Sequence, residues 1–273
     1  MLNDAEFALV SREVKARSGA LITREMTGAA EMRLQPIARR ENFASVGELI
    51  AAARIRPDGY LWTAITDALA LSETRFFRDR QVFARLTSEI IPAALARRGH
   101  ERARIWCAGV STGQEAYSIA MIIEDMRVEG LNPAAEIMAT DFSERLLDKA
   151  RAGLYTQFEV QRGLPIKKLI AHFEKAGDLW RISDRLRASV RFEAHNLMKH
   201  PGPLGQFDII MLAHVLSAFD PQMRIEVFAR VADALAPDGV IVLGAGESLP
   251  EGVEGFTFAD GVAKRTSSAR AAA

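Results

Sequence analysis

Apolar positions along this chain follow two periods, and the change between them falls near residue 80. From Glu6 to about Asp79, short amphipathic runs such as Phe7-Ala-Leu-Val10 and Val46-Gly-Glu-Leu-Ile-Ala-Ala-Ala53 recur at helical spacing. They are broken by Ser18-Gly19 and Arg56-Pro57-Asp58-Gly59, which predicts several short helices and no strand. Thr23 as an N-cap with Glu25 in the first turn predicts a helix over 24–42, made locally basic by Arg33, Arg39 and Arg40. Beyond about Arg78, continuous apolar runs alternate with helical patterns. Helices are predicted over 82–98, 114–127, 144–152 and 221–235, and strands over 104–110, 136–141, 207–212 and 240–244. Ser143 caps the third of these helices, and Pro237-Asp-Gly239 turns the chain into the last strand. Strands with no polar face, separated by helices, are the grammar of a parallel sheet covered on both sides. Between about Tyr155 and Phe192 the alternation lapses, and the runs 178–182 and 190–192 predict small antiparallel strands in an inserted β-subdomain. The predicted organisation is an all-helical region over 1–80, an α/β domain over 81–265 with its insert at about 155–192, and a disordered tail over 266–273.

Composition narrows the function classes by exclusion. Lys plus Arg number 35 and Asp plus Glu number 35, so no global field recruits nucleic acid or an anionic membrane. The single cysteine, Cys107, lies inside an apolar strand, which rules out an internal disulfide framework and predicts an inert core thiol in a reducing compartment. Asp4, Glu6 and Glu13 interrupt any apolar run near the start, and no stretch approaches the length of a membrane span. The expected location is the cytoplasm, without membrane insertion.

The segment Trp106-Cys-Ala-Gly-Val-Ser-Thr-Gly-Gln-Glu115 runs from a buried strand through two glycines into a helix. Its spacing is not G-x-G-x-x-G and no Lys follows, so a dinucleotide or a triphosphate is not the expected ligand. Glu115 just past the turn suits a ligand bearing an amine and positive charge, and S-adenosylmethionine is of that kind; a strand-to-helix turn with no ligand is the competing reading. In open α/β sheets ligands collect beyond the carboxyl ends of the strands. Asp141 ends the second strand, where a carboxylate accepts both hydroxyls of a ribose; the competing reading is a helix N-terminal charge. Asn196 and Leu197 end a third short run, suited to an adenine edge and face, although an Asn there is equally a turn former. The five histidines lack ligand spacing and no hydrolase set is present, so no metal is expected.

Taken together, Glu73-Thr-Arg-Phe-Phe-Arg-Asp79, 106–121, Ala139-Thr-Asp141, Ala152-Gly-Leu-Tyr155, Asn196-Leu197 and Gly244-Ala-Gly-Glu-Ser248 resemble the chemotaxis receptor methyltransferases of the CheR type. The resemblance covers nearly the whole chain, in the family's order. It implies a basic helical N-terminal domain, a class I S-adenosylmethionine-dependent methyltransferase domain of Rossmann-like α/β fold, and a small β-subdomain inserted in it. It further implies methylation of glutamate side chains on the cytoplasmic helices of chemoreceptors, with S-adenosylhomocysteine as product, by a monomer acting in chemotaxis adaptation without nucleic acid. Carried over by position, Ser72 and Thr74 line the cofactor pocket and Arg78 stands beside the methyl group and the incoming carboxylate as the catalytic candidate. Glu115 holds the methionine amino group, Asp141 the ribose, and Asn196 with Leu197 the adenine region. The family pattern Arg-Asn-Val-Leu-Ile-Tyr-Phe-Asp is here Ala213-His-Val-Leu-Ser-Ala-Phe-Asp220, so Ala213, His214 and Ala218 depart from it, as does Ser72 for the usual Asn. His214 keeps a hydrogen-bond donor. These departures set beside the active enzyme an alternative, a catalytically impaired relative that binds the cofactor or the receptor as a regulator.

Overall fold

A computed structural model describes residues 2–57, 59–70 and 73–266. The chain forms two compact units, Met1–Ser72 with Ser217–Met223, and Glu73–Leu216 with Arg224–Ala273.

The first unit is helical. Helices α1 (Asp4–Ser18), α2 (Thr27–Arg40), α3 (Val46–Ile55) and α4 (Tyr60–Leu69) enclose a core of Phe7, Val10, Val14, Leu34, Leu49, Ile50, Trp62 and Ile65. Asn3 and Glu6 form a reciprocal cap on α1, and Ser45 accepts from the Glu48 amide at the start of α3. The basic helix begins later than its composition suggests. Residues Arg24–Met26 form a 3₁₀ turn, Thr23 makes no side-chain cap, and the α-helix proper starts at Thr27. The segment 217–223 is tied to these helices by the Leu21 amide donating to the Ala218 carbonyl at 2.8 Å and by an ion pair of Lys15 with Asp220.

The second unit begins with α5 (Arg80–Arg85), a wide turn over Leu86–Ile90, and α6 (Ile91–Arg98). The pattern predicts one uninterrupted helix here. Pro92 has no amide hydrogen to return to the carbonyl of Ser88, and the helix widens into a π turn just upstream. Then come β1 (Ala103–Ala108), α7 (Gln114–Val128), β2 (Ala135–Asp141), α8 (Glu144–Ala152), β3 (Leu154–Thr156), α9 (Gln157–Gln161), α10 (Ile166–His172), β4 (Phe173–Ala176), β5 (Leu179–Ile182), α11 (Asp184–Ala188), β6 (Val190–Ala194), β7 (Phe207–Met211), α12 (Pro221–Asp233), β8 (Leu235–Val242), β9 (Phe256–Ala259) and β10 (Val262–Arg265). Seven strands pair in the order β6-β2-β1-β7-β8-β10-β9. The first five are parallel, and β10 joins antiparallel to both β8 and β9. The chain works outward from β1 to β6, then crosses back to β7 on the other side of β1. That reversal opens a crevice at the carboxyl ends of β1 and β7, the switch point of an open sheet.

Strands β3, β5 and β4 make a separate antiparallel sheet. The run at Val190 is not part of it. Residues Val190–Ala194 lie parallel to β2 as the third strand of the main sheet, so the small sheet is confined to residues 154–182. With polar residues alternating along it, the sequence of β6 reads as half-exposed, and it is the edge position that makes it so. The hairpin of β9 and β10 also escapes the sequence pattern, because its two short strands show no run of buried residues longer than two and bracket Asp260-Gly261.

The small sheet is joined to the main one by aromatics. Phe76, fully buried, meets Tyr155 edge-on at 5.1 Å and Phe173 at 5.6 Å between ring centroids. Gly163 approaches Phe76 so closely that an added Cβ would stand 2.1 Å from the Phe76 carbonyl oxygen, and its φ is +94°. Replacing it by Ala is therefore expected to cost about 3 kcal/mol or more, from combined overlap and left-handed strain. Gly177, at φ +62° with open space around it, should cost only about 1 kcal/mol when replaced by Ala. Thermal unfolding of the two variants checks the difference; equal losses would mean that the Phe76 contact relaxes freely.

Candidate functional site

Side chains at the carboxyl ends of β1, β2, β7 and β8 form the candidate site, and each is placed by a strand that stops. After β1 the backbone enters a left-handed stretch, with φ of 70° at Gly109, 55° at Ser111 and 92° at Gly113. Gly113 is required by protein neighbours: a Cβ there would lie 2.9 Å from the Ala150 Cβ and 3.3 Å from the Tyr155 hydroxyl. Its lack of a side chain makes room for α8 and the small sheet to pack on the turn. Tyr155 donates its hydroxyl to the Thr112 carbonyl at 2.8 Å and so fixes the turn from the side of the small sheet.

Asp141, the last residue of β2, is buried and takes one backbone amide on each oxygen, Ser111 at 2.9 Å and Ser143 at 3.0 Å. The first bond locks the glycine turn to β2, and the second starts α8. A carboxylate oriented in this way at a strand end is the acceptor that a pair of neighbouring hydroxyls calls for. Asn196, beyond β6, accepts the Met198 amide on its side-chain oxygen at 3.0 Å. It thus forms the turn expected of an Asn there, and Leu197 beside it is buried.

Glu115 stands in the first turn of α7, partly buried. Among the described residues its carboxylate makes no hydrogen bond. Burial pushes its pKa up to about 8; the carboxylates of Asp79 and Glu247 add to the rise, while Arg78 opposes it. An acid held partly neutral by its surroundings regains its charge when a cation arrives, which suits it to an ammonium group.

Arg78 is partly buried, and its Nη1 donates to the Glu73 carbonyl at 2.5 Å. Glu73 itself pairs with Arg162, which holds its carboxyl below the usual range. Phe77, at φ 46°, donates its amide to the Ser118 hydroxyl on α7 at 3.0 Å. The 73–79 segment is therefore anchored at several points along α7 and the small sheet. Thr74 lies in that segment, partly buried. Ser72 lies outside the described residues.

Two further acids complete the strand ends, and the residue patterns assigned them no role. Glu247, beyond β8, accepts the His214 and Gly244 amides, both at 2.7 Å. Asp79 accepts the Ala245 amide at 2.8 Å and meets His214 Nε2 at 2.7 Å. Gly244-Ala-Gly-Glu247 follows the last core strand as Asp141 ends β2, and that parallel was the available signal. A cavity lined by Arg102, Arg127, Glu136 and Arg191 lies at the amino ends of β1, β2 and β6, away from all these groups.

For stability, the sign at Glu115 follows from its raised pKa. Between about 4.5 and about 8 the folded protein keeps a proton that the unfolded chain releases, so this residue's contribution to stability falls as pH rises through that window. Glu115→Gln is expected to be near neutral at pH 5 and to stabilise the ligand-free protein by on the order of 1–3 kcal/mol at pH 8. Denaturant unfolding at the two pH values checks this; a destabilised variant at pH 8 would mean that the carboxylate is solvated in place.

Residues 72–264 match the family described as CheR methyltransferase, SAM binding domain. The chain is similar to a chemotaxis protein methyltransferase of Vibrio parahaemolyticus, 34% identical over 91% of this chain and 90% of that protein. It is similar too to chemotaxis protein methyltransferase Cher2 of Pseudomonas putida, 32% identical over 85% and 86% of the two chains, and to chemotaxis protein methyltransferase 1 of Pseudomonas aeruginosa, 30% identical over 90% and 91%.

Proposed function

The chain belongs to the CheR methyltransferase family, and from that premise we propose that it methylates glutamate side chains on the cytoplasmic helices of chemoreceptors, with S-adenosylmethionine as donor. The observation that carries the cofactor site is Glu115, a partly buried carboxylate with no hydrogen-bond partner among the described residues, in the first turn of the helix that follows β1. Nothing in the fold's own packing uses it, and the cost of keeping it there is offset by an ammonium ligand.

S-adenosylmethionine supplies a methyl group on a positively charged sulfur, which a substrate carboxylate oxygen takes by displacement. The substrate glutamate is ionised at neutral pH, so the protein has no proton to remove. Its work is to desolvate, align and hold. Glu115 takes the amino group. Asp141, oriented by its two backbone donors, accepts the ribose hydroxyls. Asn196 and Leu197 border the adenine, and Thr74 lines the pocket. Arg78 orients the incoming carboxylate; with Nη1 tethered to the Glu73 carbonyl, its guanidinium has further donors for a carboxylate.

Calorimetric titration with S-adenosylhomocysteine is expected to give micromolar binding at pH 8, lost or weakened at least about tenfold in Asp141→Ala. Below pH 8 the affinity should fall, by up to about tenfold per pH unit, because Glu115 must give up its proton to pair with the ammonium. Affinity that does not change between pH 6 and pH 8 would assign the amino group to another residue. Incubation with labelled S-adenosylmethionine and a chemoreceptor cytoplasmic fragment should yield base-labile methyl esters. Arg78→Ala is expected to lower kcat by about a hundredfold or more. Cofactor binding without any ester, across several receptors, would favour the regulator.

A further inference from the structure

His214 is the departure from the family pattern whose surroundings the structure describes most fully. It follows β7 with φ 59°, a left-handed backbone that His tolerates better than most residues. Its amide is held by Glu247, and its ring covers Gly244 so closely that a Cβ there would stand 2.4 Å from Nε2. Nε2 lies 2.7 Å from Asp79 Oδ2, which also accepts the Ala245 amide. That oxygen is an acceptor, so Nε2 carries the hydrogen whether the ring is neutral or charged. One ring therefore joins the loop after β7, the loop after β8 and the segment ending at Asp79. Arg78 is the residue before Asp79, and the Asp79 carboxylate is among the charges that act on Glu115.

We propose that His214 is a positioning residue for the methyl-transfer site: by donating Nε2–H to Asp79 it latches the 73–79 segment to the ends of β7 and β8, and so sets the place of Arg78 and of the carboxylate that faces Glu115. The latch replaces with one side chain what would otherwise need separate contacts from each loop. This inference rests on the cofactor reading above, but its core is a hydrogen bond that exists without any ligand.

Two variants of equal length and equal backbone strain isolate that bond. His214→Gln keeps a donor near the position of Nε2, and His214→Met does not. In the ligand-free protein, hydrogen exchange at the Ala245 amide should be about tenfold or more faster in His214→Met and close to the parent in His214→Gln. S-adenosylhomocysteine should bind about tenfold more weakly to His214→Met and within about threefold of the parent to His214→Gln. Asp79→Ala should weaken binding alike, and add nothing when combined with His214→Met. Gln and Met variants that behave the same, or an Asp79→Ala effect that adds fully to that of His214→Met, would reduce His214 to packing over Gly244 and overturn the latch. If His214→Met does not fold, Asp79→Ala and His214→Gln carry the same comparison. A parent that fails to bind S-adenosylhomocysteine overturns the cofactor reading, while the exchange rates still decide the latch.

Discussion

Four carboxylates meet the ends of the parallel strands, and like charges gathered where water is scarce repel one another. How that repulsion is contained organises the rest of the site. Asp141 is held by the Ser111 and Ser143 amides, Glu247 by the His214 and Gly244 amides, and Asp79 by the Ala245 amide and the His214 ring. Each acid is stabilised by backbone donors that face outward because a strand has ended. In return each fixes the loop that supplies them. Glu115 is the exception: among the described residues it has no donor, and its pKa is pushed up to about 8. A site built this way is rigid around three acids and, among the described residues, without a protein donor at the fourth.

The main sheet was legible because buried parallel strands are continuous apolar runs, and β1, β2, β7 and β8 have few polar residues to confuse the pattern. Edge elements were not. Strand β6 alternates polar and apolar residues as an exposed hairpin strand does, and the β9–β10 pair is too short and too mixed to rise above the background of turns. The π turn at Leu86–Ile90 depends on a bond that Pro92 cannot make, a local effect that helical periodicity does not register.

Candidate site residues divide the same way. Glu115 and Asp141 were legible as candidates because each follows the carboxyl end of a strand in an open sheet, where ligands collect. Asp79 and Glu247 gained no role from the sequence because their partners are backbone amides and a ring distant along the chain. The change to His214 reads as a loss when residues are compared by type. In the fold it reads differently: a left-handed backbone accepts Asn or His with little strain, and the larger side chain reaches an acid that lies 135 positions away. Ser72 lies outside the described residues, and Ala218 belongs to the segment grouped with the helical unit.

Glu115 also changes what it means for this pocket to be empty. With its pKa pushed up to about 8, Glu115 at neutral pH holds a proton at the spot that the proposed function assigns to an ammonium. On the proposed reading, seating the cofactor expels that proton to the solvent, and product departure draws one back. Methyl transfer to an ionised carboxylate moves no proton of its own, yet the resting and loaded forms of the protein differ by one. Filling the pocket is thereby linked, on the proposed reading, to the pH of the surrounding solution.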